Sequence, residues 1–303
     1  MENIIIADTR EITREQWLDM RRSYIGGSDV SAILGINPYK SIFGVYAEKV
    51  LGVSEDLSDN VHVEFGNKME PIIRDWFPQA FLKAEGIEIE VTEYPYMIQH
   101  PSIPFLAANL DGLIVHPEFG QGLIEIKTAG ENQWRLWEED NIPDQYYCQI
   151  AHYLNVTGLS YAYVVALVGK RLLWKYVARD DEFIELMTPQ LLEFWNDFVI
   201  PKQAPAPMGL DDDTDILKKL YVKEDSGKYV ELHDHQGDYD RYKELAAEIK
   251  ALGMEQEAIK QKFMQALGDA ELGFVGNKKV TWKTTHRKGY TVEPTSYRSL
   301  RVY

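Results

Sequence analysis

Asp111, Glu125 and Lys127 lie in the segment LAANLDGLIVHPEFGQGLIEIKTAG, residues 106–130, at a spacing that a folded-back pair of strands would close into one cluster. Leu110 to Val115 and Gly122 to Lys127 are strand-like runs, and HPEFG between them carries turn chemistry. A hairpin centred near Glu118 sets Asp111 directly opposite Glu125. Side chains alternate faces with period two, so Lys127 shares the face of Glu125 while Ile124 and Ile126 point the other way. Leu113 and Leu123 belong to the acidic face too, which argues that it is buried. Two carboxylates and an ammonium in such a place repel or desolvate one another unless a divalent cation and a phosphate fill the gap.

Glu-x-Lys alone has little specificity, and this chain contains a second copy, Glu248-Ile249-Lys250. That copy falls in a helical pattern, where its two charges stand about 200° apart around the axis, and no strand aspartate precedes it. It reads as a solvated face.

The elements that must position the first copy are legible on either side. A helix runs from Thr13, its cap, to about Arg22; a Gly-Gly turn follows, then a helix beginning at Ser28 as N-cap. Val61 to Phe77 is helical, with Pro71 implying a kink or a helix start. Residues 87–99 alternate as a strand. Residues 132–139 and 144–156 are helical, 161–168 and 171–177 form a second hairpin, and 188–198 is a helix capped by Thr188 ahead of Pro189. The stretch IPKQAPAPMGLDDDTD marks a boundary, giving a core at 1–200, a linker at 201–215 and an extension at 216–303. Within the extension, Tyr242, Leu245, Ile249, Leu252, Ile259, Phe263 and Ala266 follow a 3-4 spacing, interrupted by Gly253, as in a two-stranded coil or helical hairpin. The tail then reads as short strands, FVGNKKVTWKT and KGYTVEP.

At 303 residues with 45% hydrophobic and 26% charged content, the composition is that of a soluble globular protein. No apolar run reaches the roughly 18–20 residues of a membrane span, and the acidic N-terminus does not read as a secretion signal, so a cytoplasmic location is expected. Cys148, the single cysteine, excludes an internal disulfide and a cysteine-ligated cluster; it sits in the helical YYCQIAHYL and is expected to be buried and inert. His152, four residues on, reads as a helix residue, and Trp134 and Trp137 as one face of a core helix. The net charge of −16 opposes a nucleic-acid partner, yet the tail from Asn277 is locally basic, with Lys278, Lys279, Lys283, Arg287, Lys288, Arg298 and Arg301 against Glu293. An acidic body with local basic patches suits an enzyme admitting DNA at a defined mouth.

The hairpin resembles the PD-(D/E)xK nuclease signature, with Asn109-Leu110-Asp111 where that superfamily often has Pro-Asp. Four segments in order, RRSYIGGSDVSAILGINPY, EFGNKMEPIIRDWF, LDGLIVHPEFGQGLIEIKTAG and YYCQIAHYLNVTG, resemble the YqaJ-like viral recombinases, which are phage lambda exonuclease-like, over roughly residues 11–200. The resemblance implies a restriction-endonuclease-like α/β core, a mixed central sheet flanked by helices, with a helical and short-β C-terminal extension. It implies that Asp111, Glu125 and the carbonyl of Ile126 hold Mg²⁺, with Mn²⁺ able to substitute, that Lys127 orients or deprotonates the attacking water, and that Glu70 and Gln149 border the metal. Arg21, with Arg22 as rival by register, and Ser28 would hold a DNA 5′-phosphate. The implied activity is a 5′→3′ exonuclease on double-stranded DNA ends, leaving 3′ strands for a single-strand annealing protein, in a trimeric ring. A structure-specific or restriction-type endonuclease and a non-catalytic recombination adaptor are the alternative readings.

Overall fold

A computed structural model describes residues 4–53, 60–139, 141–286, 298, 300 and 302. The chain divides into two units, Met1–Leu220 and Tyr221–Tyr303. In the first, a mixed five-stranded sheet has the order β2-β5-β6-β7-β8, formed by β2 (Glu90–Thr92), β5 (Gly112–His116), β6 (Gly120–Ala129), β7 (Tyr161–Val168) and β8 (Arg171–Ala178). Only β6 and β7 are parallel, and the crossover between them is α5 (Asp144–Thr157). A smaller antiparallel sheet has the order β1-β3-β4, formed by β1 (Ile4–Asp8), β3 (Tyr96–Gln99) and β4 (Ala107–Asn109).

The β5–β6 ladder runs from His116↔Gly120 to Gly112↔Ile124, so the register sets Asp111 opposite Glu125 just past the last pair. The alternation sorts the two faces of β6 into two cores. Leu123 packs with Ile150 and Leu154 of α5 and with Val30 of α2 (Gly27–Ile33). Ile124 and Ile126 pack instead with Ile73, Phe77 and Phe81 of α4 (Val61–Glu85). A ribbon covered on both sides explains how charged Glu125 comes to be 1% exposed.

Several elements differ from the sequence reading. α4 is one helix of 25 residues that runs through both Pro71 and Pro78. A mid-helix proline costs about 3 kcal/mol, which the burial of Ile73, Phe77 and Phe81 against the sheet can outweigh. Residues 87–99 form two strands in different sheets, because Pro95 cannot donate to a ladder. The helix expected from Thr188 starts earlier, as α6 (Asp181–Glu193); Asp180 is the cap, its carboxylate accepting from the Phe183 N–H at 3.0 Å. Residues 132–139 give a short 3₁₀ turn, Glu131–Trp137. The unit boundary falls after Leu220 rather than within the proline-rich stretch. There α7 (Asp211–Leu220) packs Ile216 on Phe43 and Ala47 of the first unit, while Asp213 accepts the N–H groups of Met208, Gly209 and Leu210.

In the second unit, α8 (Gln236–Leu267) is one uninterrupted helix through Gly253 rather than a helical hairpin, and none of its side chains is buried among the described residues. It is followed by a hairpin of β9 (Leu272–Val275) and β10 (Lys278–Thr281). Arg287, Lys288, Arg301 and the KGYTVEP segment lie outside the described residues. No described helix is long and apolar enough to cross a membrane.

Candidate active site

At the open end of the hairpin, Glu70, Asp111, Glu125, Ile126, Lys127 and Gln149 line one cavity of about 280 Å³. Asp111 is locked to the facing strand, its Oδ2 accepting the Ile126 N–H at 2.7 Å while its carbonyl accepts from Arg74 Nε at 2.7 Å. Arg74 also holds Glu70, with Nη2 to Oε1 at 2.5 Å, so the two side chains bridge one turn of α4. Lys127 Nζ lies 2.5 Å from Glu125 Oε1 and donates to Gln149 Oε1 at 3.1 Å. The ammonium also faces the Tyr146 ring, 4.9 Å from its centroid.

The electrostatics of this cavity are unbalanced toward negative charge. Burial first, and repulsion from Asp111 second, push the Glu125 carboxyl up to about 8. The same two causes raise Glu70 to about 7, and burial raises Asp111. Burial alone would lower Lys127, but Glu125 and Asp111 outweigh it and hold the ammonium above its usual value. Glu125 Oε2 is buried with no hydrogen-bond partner among the described residues. Crowded hard oxygen donors with one orphaned lone-pair site are what a divalent cation would satisfy. Among the described residues no three acidic, His or Cys side chains form a ready-made cage. The oxygen donors on offer to a cation are those of Asp111 and Glu125 and nearby backbone carbonyls, and Glu70, held by Arg74, lines the same cavity.

A second cavity of about 210 Å³ adjoins the first, with Asp111 and Gln149 in both linings; its other walls include Trp17, Arg21, Gly26, Gly27, Ser28 and Tyr153. Arg21 lies on α1 (Arg14–Arg22), stacked over Trp17 at 4.8 Å from the ring centroid, and donates to Ser28 Oγ at 2.9 Å. Arg22 turns away to Asp19 at 2.9 Å and lies beside Gly52. The helix after the glycines starts one residue before Ser28, with Gly26 as its cap, so Ser28 is free of capping. With only seven residues in α2, the positive character here comes from side chains rather than from the helix end.

Sequence reasoning missed the support beneath this second cavity. Asp29, fully buried, accepts the Gly26 N–H at 3.1 Å and pairs with Lys49 at 2.7 Å, Lys40 at 3.5 Å and Arg21 at 3.9 Å. Burial would raise its carboxyl, but Lys49, Lys40 and Arg21 outweigh that and hold it well below the usual range. Lys49 in turn donates to the Arg21 carbonyl at 3.0 Å. Arg74 was legible only as an i,i+4 partner of Glu70, and Tyr153 only as an i,i+4 neighbour of Gln149.

Gly27 lines the second cavity, tight against Tyr153 and against Gln149, which borders both cavities. A Cβ there would stand 2.5 Å from Tyr153 Cε1 and 2.8 Å from Gln149 Cγ, whereas one at Gly26 would meet nothing closer than 3.8 Å. Gly27→Ala is therefore expected to destabilise the chain by about 1–3 kcal/mol and to slow catalysis by displacing Gln149. Gly26→Ala is the control, and thermal melts and digestion rates of the two variants compare them.

The other candidates are structural. Burial pushes the Cys148 thiol up to about 11, so it is no nucleophile. His152 is fully buried, lies with Nε2 2.9 Å from the Ala107 carbonyl, and is lowered by burial to about 4. Trp137 is buried and stacks on Tyr146, and Trp134 lies under the Arg171 guanidinium. A larger groove of about 760 Å³ over β8 is rimmed by Glu85, Glu118, Glu138 and Glu139, a poor match for a polyanion.

A family model described as the YqaJ-like viral recombinase domain matches residues 16–160, a span containing every residue placed in the two cavities. Over 283 residues the chain is 32% identical to the uncharacterized protein YqaJ of Bacillus subtilis, spanning 92% of this chain and 86% of that one. The chain belongs to the YqaJ-like viral recombinase family. With that family comes the enzyme class that the hairpin pointed to, a nuclease. Among solved structures, the chain is similar to an alkaline exonuclease from Laribacter hongkongensis, at 19% identity and a TM-score of 0.47, covering 69% of this chain and 98% of that one. It is also similar to a phage-related exonuclease from Haemophilus somnus, at 12% identity and a TM-score of 0.41, covering 58% of this chain and 95% of that one.

Proposed function

We propose that this family member is a Mg²⁺-dependent 5′→3′ exonuclease acting on double-stranded DNA ends, with Mn²⁺ able to replace Mg²⁺. The observation that carries the reading is the shared wall: Asp111 and Gln149 border both the carboxylate cavity and the Arg21–Ser28 cavity. A seat for a terminal phosphate beside the hydrolytic residues ties cleavage to a 5′ end and so fixes polarity.

Asp111, Glu125 and the Ile126 carbonyl would hold the divalent ion, with Glu70 alongside. When bound, the ion acidifies a water and offsets charge on the scissile phosphate. Lys127, kept protonated by its two carboxylate neighbours, donates to the attacking water or a phosphate oxygen and adds positive charge there. Gln149 aims that ammonium through its carbonyl. Arg21 and Ser28 hold the 5′-terminal phosphate, the guanidinium matching two phosphate oxygens. Water oxygen joins phosphorus, the bond from phosphorus to the 3′ oxygen breaks, and the nucleotide leaves with a 3′ hydroxyl. The shortened strand carries a new 5′-phosphate, which the same seat can take. The 3′ single strand left behind is the substrate of an annealing protein, and a ring of three chains around the duplex would keep an acidic surface outward.

The test is a digestion time course on end-labelled linear duplex with and without a 5′-phosphate. Phosphorylated ends are expected to be degraded at least about tenfold faster, and Arg21→Ala should bring both ends to the slower rate. Equal rates in the parent chain would remove the terminal-phosphate role, and no degradation with either metal would favour the adaptor.

A further inference from the structure

The hydrogen-bond directions around the second cavity are fixed by two groups that can only donate. Arg21 has no acceptor, so Ser28 Oγ accepts from it. Lys127 has none either, so the carbonyl of Gln149 must face Lys127 and its amide NH₂ must face Tyr153. The Tyr153 oxygen accordingly accepts from Gln149 Nε2 at 3.0 Å. Its own proton is left over, with no acceptor among the described residues. Tyr153 is only 5% exposed, and its ring lies against Gly27, so the hydroxyl is held at the cavity wall. A buried hydroxyl proton without an acceptor costs free energy, and an anionic oxygen in the cavity would relieve it.

We propose that Tyr153 is a positioning and specificity residue: its hydroxyl donates to the seated 5′-phosphate and, through Gln149, couples occupancy of that seat to the aim of Lys127. The inference rests on the terminal-phosphate reading of this cavity. A hydroxyl that donates to an anion becomes a better acceptor, which tightens the Gln149 amide on it. The Gln149 carbonyl is then held on Lys127. Without a phosphate the hydroxyl proton has no acceptor among the described residues, and Gln149 is held only by its 3.0 Å contact to Tyr153 and its 3.1 Å contact to Lys127.

Tyr153→Phe removes one oxygen and keeps the ring that packs on Gly27. Steady-state digestion by the parent chain and this variant is compared on 5′-phosphate and 5′-hydroxyl duplexes. The expected result is a fall in kcat/KM of about tenfold on phosphorylated ends, part of it in kcat, and a clearly smaller fall on hydroxyl ends, where only the contact to Gln149 is lost. Inhibition of hydroxyl-end digestion by inorganic phosphate should weaken by a similar factor. Equal losses on both ends would mark a merely structural role and overturn the proposal. A parent that prefers phosphate beside a variant that keeps the same preference overturns this inference alone. A parent with no preference overturns the terminal-phosphate reading and the inference with it.

Discussion

Glu125→Gln is expected to stop strand digestion, lowering kcat by about 10³ or more, while the chain stays folded. The residue is 1% exposed, one carboxylate oxygen lies against Lys127, and the other has no hydrogen-bond partner among the described residues. Glutamine keeps the shape but puts an NH₂ donor where an oxygen ligand is needed, so the loss is one of charge and donor type rather than packing. A binding readout separates this from a folding defect. At a hundredfold excess over Kd a ligand stabilises by about 2.7 kcal/mol, which for a domain of this size raises Tm by roughly 5–10 °C. Mg²⁺ should give that rise to the parent chain and none to the variant. A variant that keeps both the rise and the digestion would show that Glu125 is not a ligand.

The same carboxyl gives the metal-free chain a pH dependence opposite in sign to that of a salt-bridged surface acid. Burial, then repulsion from Asp111, place the folded-state value at about 8, against an ordinary 4.5. Between those values the folded chain binds more protons than the unfolded chain, so stability falls as pH rises through that window. Glu70, raised to about 7, adds to the fall. On the proposed ligand assignment a divalent cation should oppose it by taking the charge that the protein cannot solvate. Metal-free melts of Glu125→Gln should show a shallower decline than the parent, and an identical slope would contradict the assignment.

Why the hairpin was readable and its surroundings less so follows from the range of the interactions involved. Period-two alternation and the turn at HPEFG fix a register locally, and the ladder centred on Glu118 puts Asp111 against Glu125 without help from the rest of the fold. Thr13 capping α1 is equally local. Pro71 and the Thr188-Pro189 pair were misleading for the opposite reason. Proline reads as a boundary, yet tertiary packing of Ile73 and Phe77 carries α4 past one, and Asp180 caps α6 nine residues before the other. Ser28 looked like a cap because hydroxyls cap well, but Asp29 accepts the Gly26 N–H and fills that need. The Asp29–Lys49 pair and the Tyr153–Gly27 contact join residues 20 and 126 positions apart, and no period in the sequence announces either. The cavity beside the carboxylates was therefore legible in its members, Arg21 and Ser28, but not in what holds them.

Lys127→Ala should lower kcat by about 10²–10³ while leaving duplex binding and the Mg²⁺-induced rise in Tm nearly intact. The argument turns on what Lys127 supplies that its neighbours do not. On the proposed assignment Asp111 and Glu125 provide oxygen ligands, Arg21 and Ser28 grip the end, and Gln149 is neutral. Among the described residues that line the first cavity only Lys127 is cationic, and Gln149 and Glu125 fix where its charge points. Removing it strips stabilisation from the charge that develops during phosphate hydrolysis, not from the ground-state grip. In the absence of cation the variant should also be less stable than the parent, since Glu125 loses its counter-charge, and Mg²⁺ should recover most of that difference. Lys127→Arg is not expected to rescue, because a planar fork cannot occupy the point-charge position between Glu125 Oε1 and Gln149 Oε1. Retention of kcat in Lys127→Ala, or a loss appearing wholly in KM, would show that the ammonium serves binding rather than the chemical step.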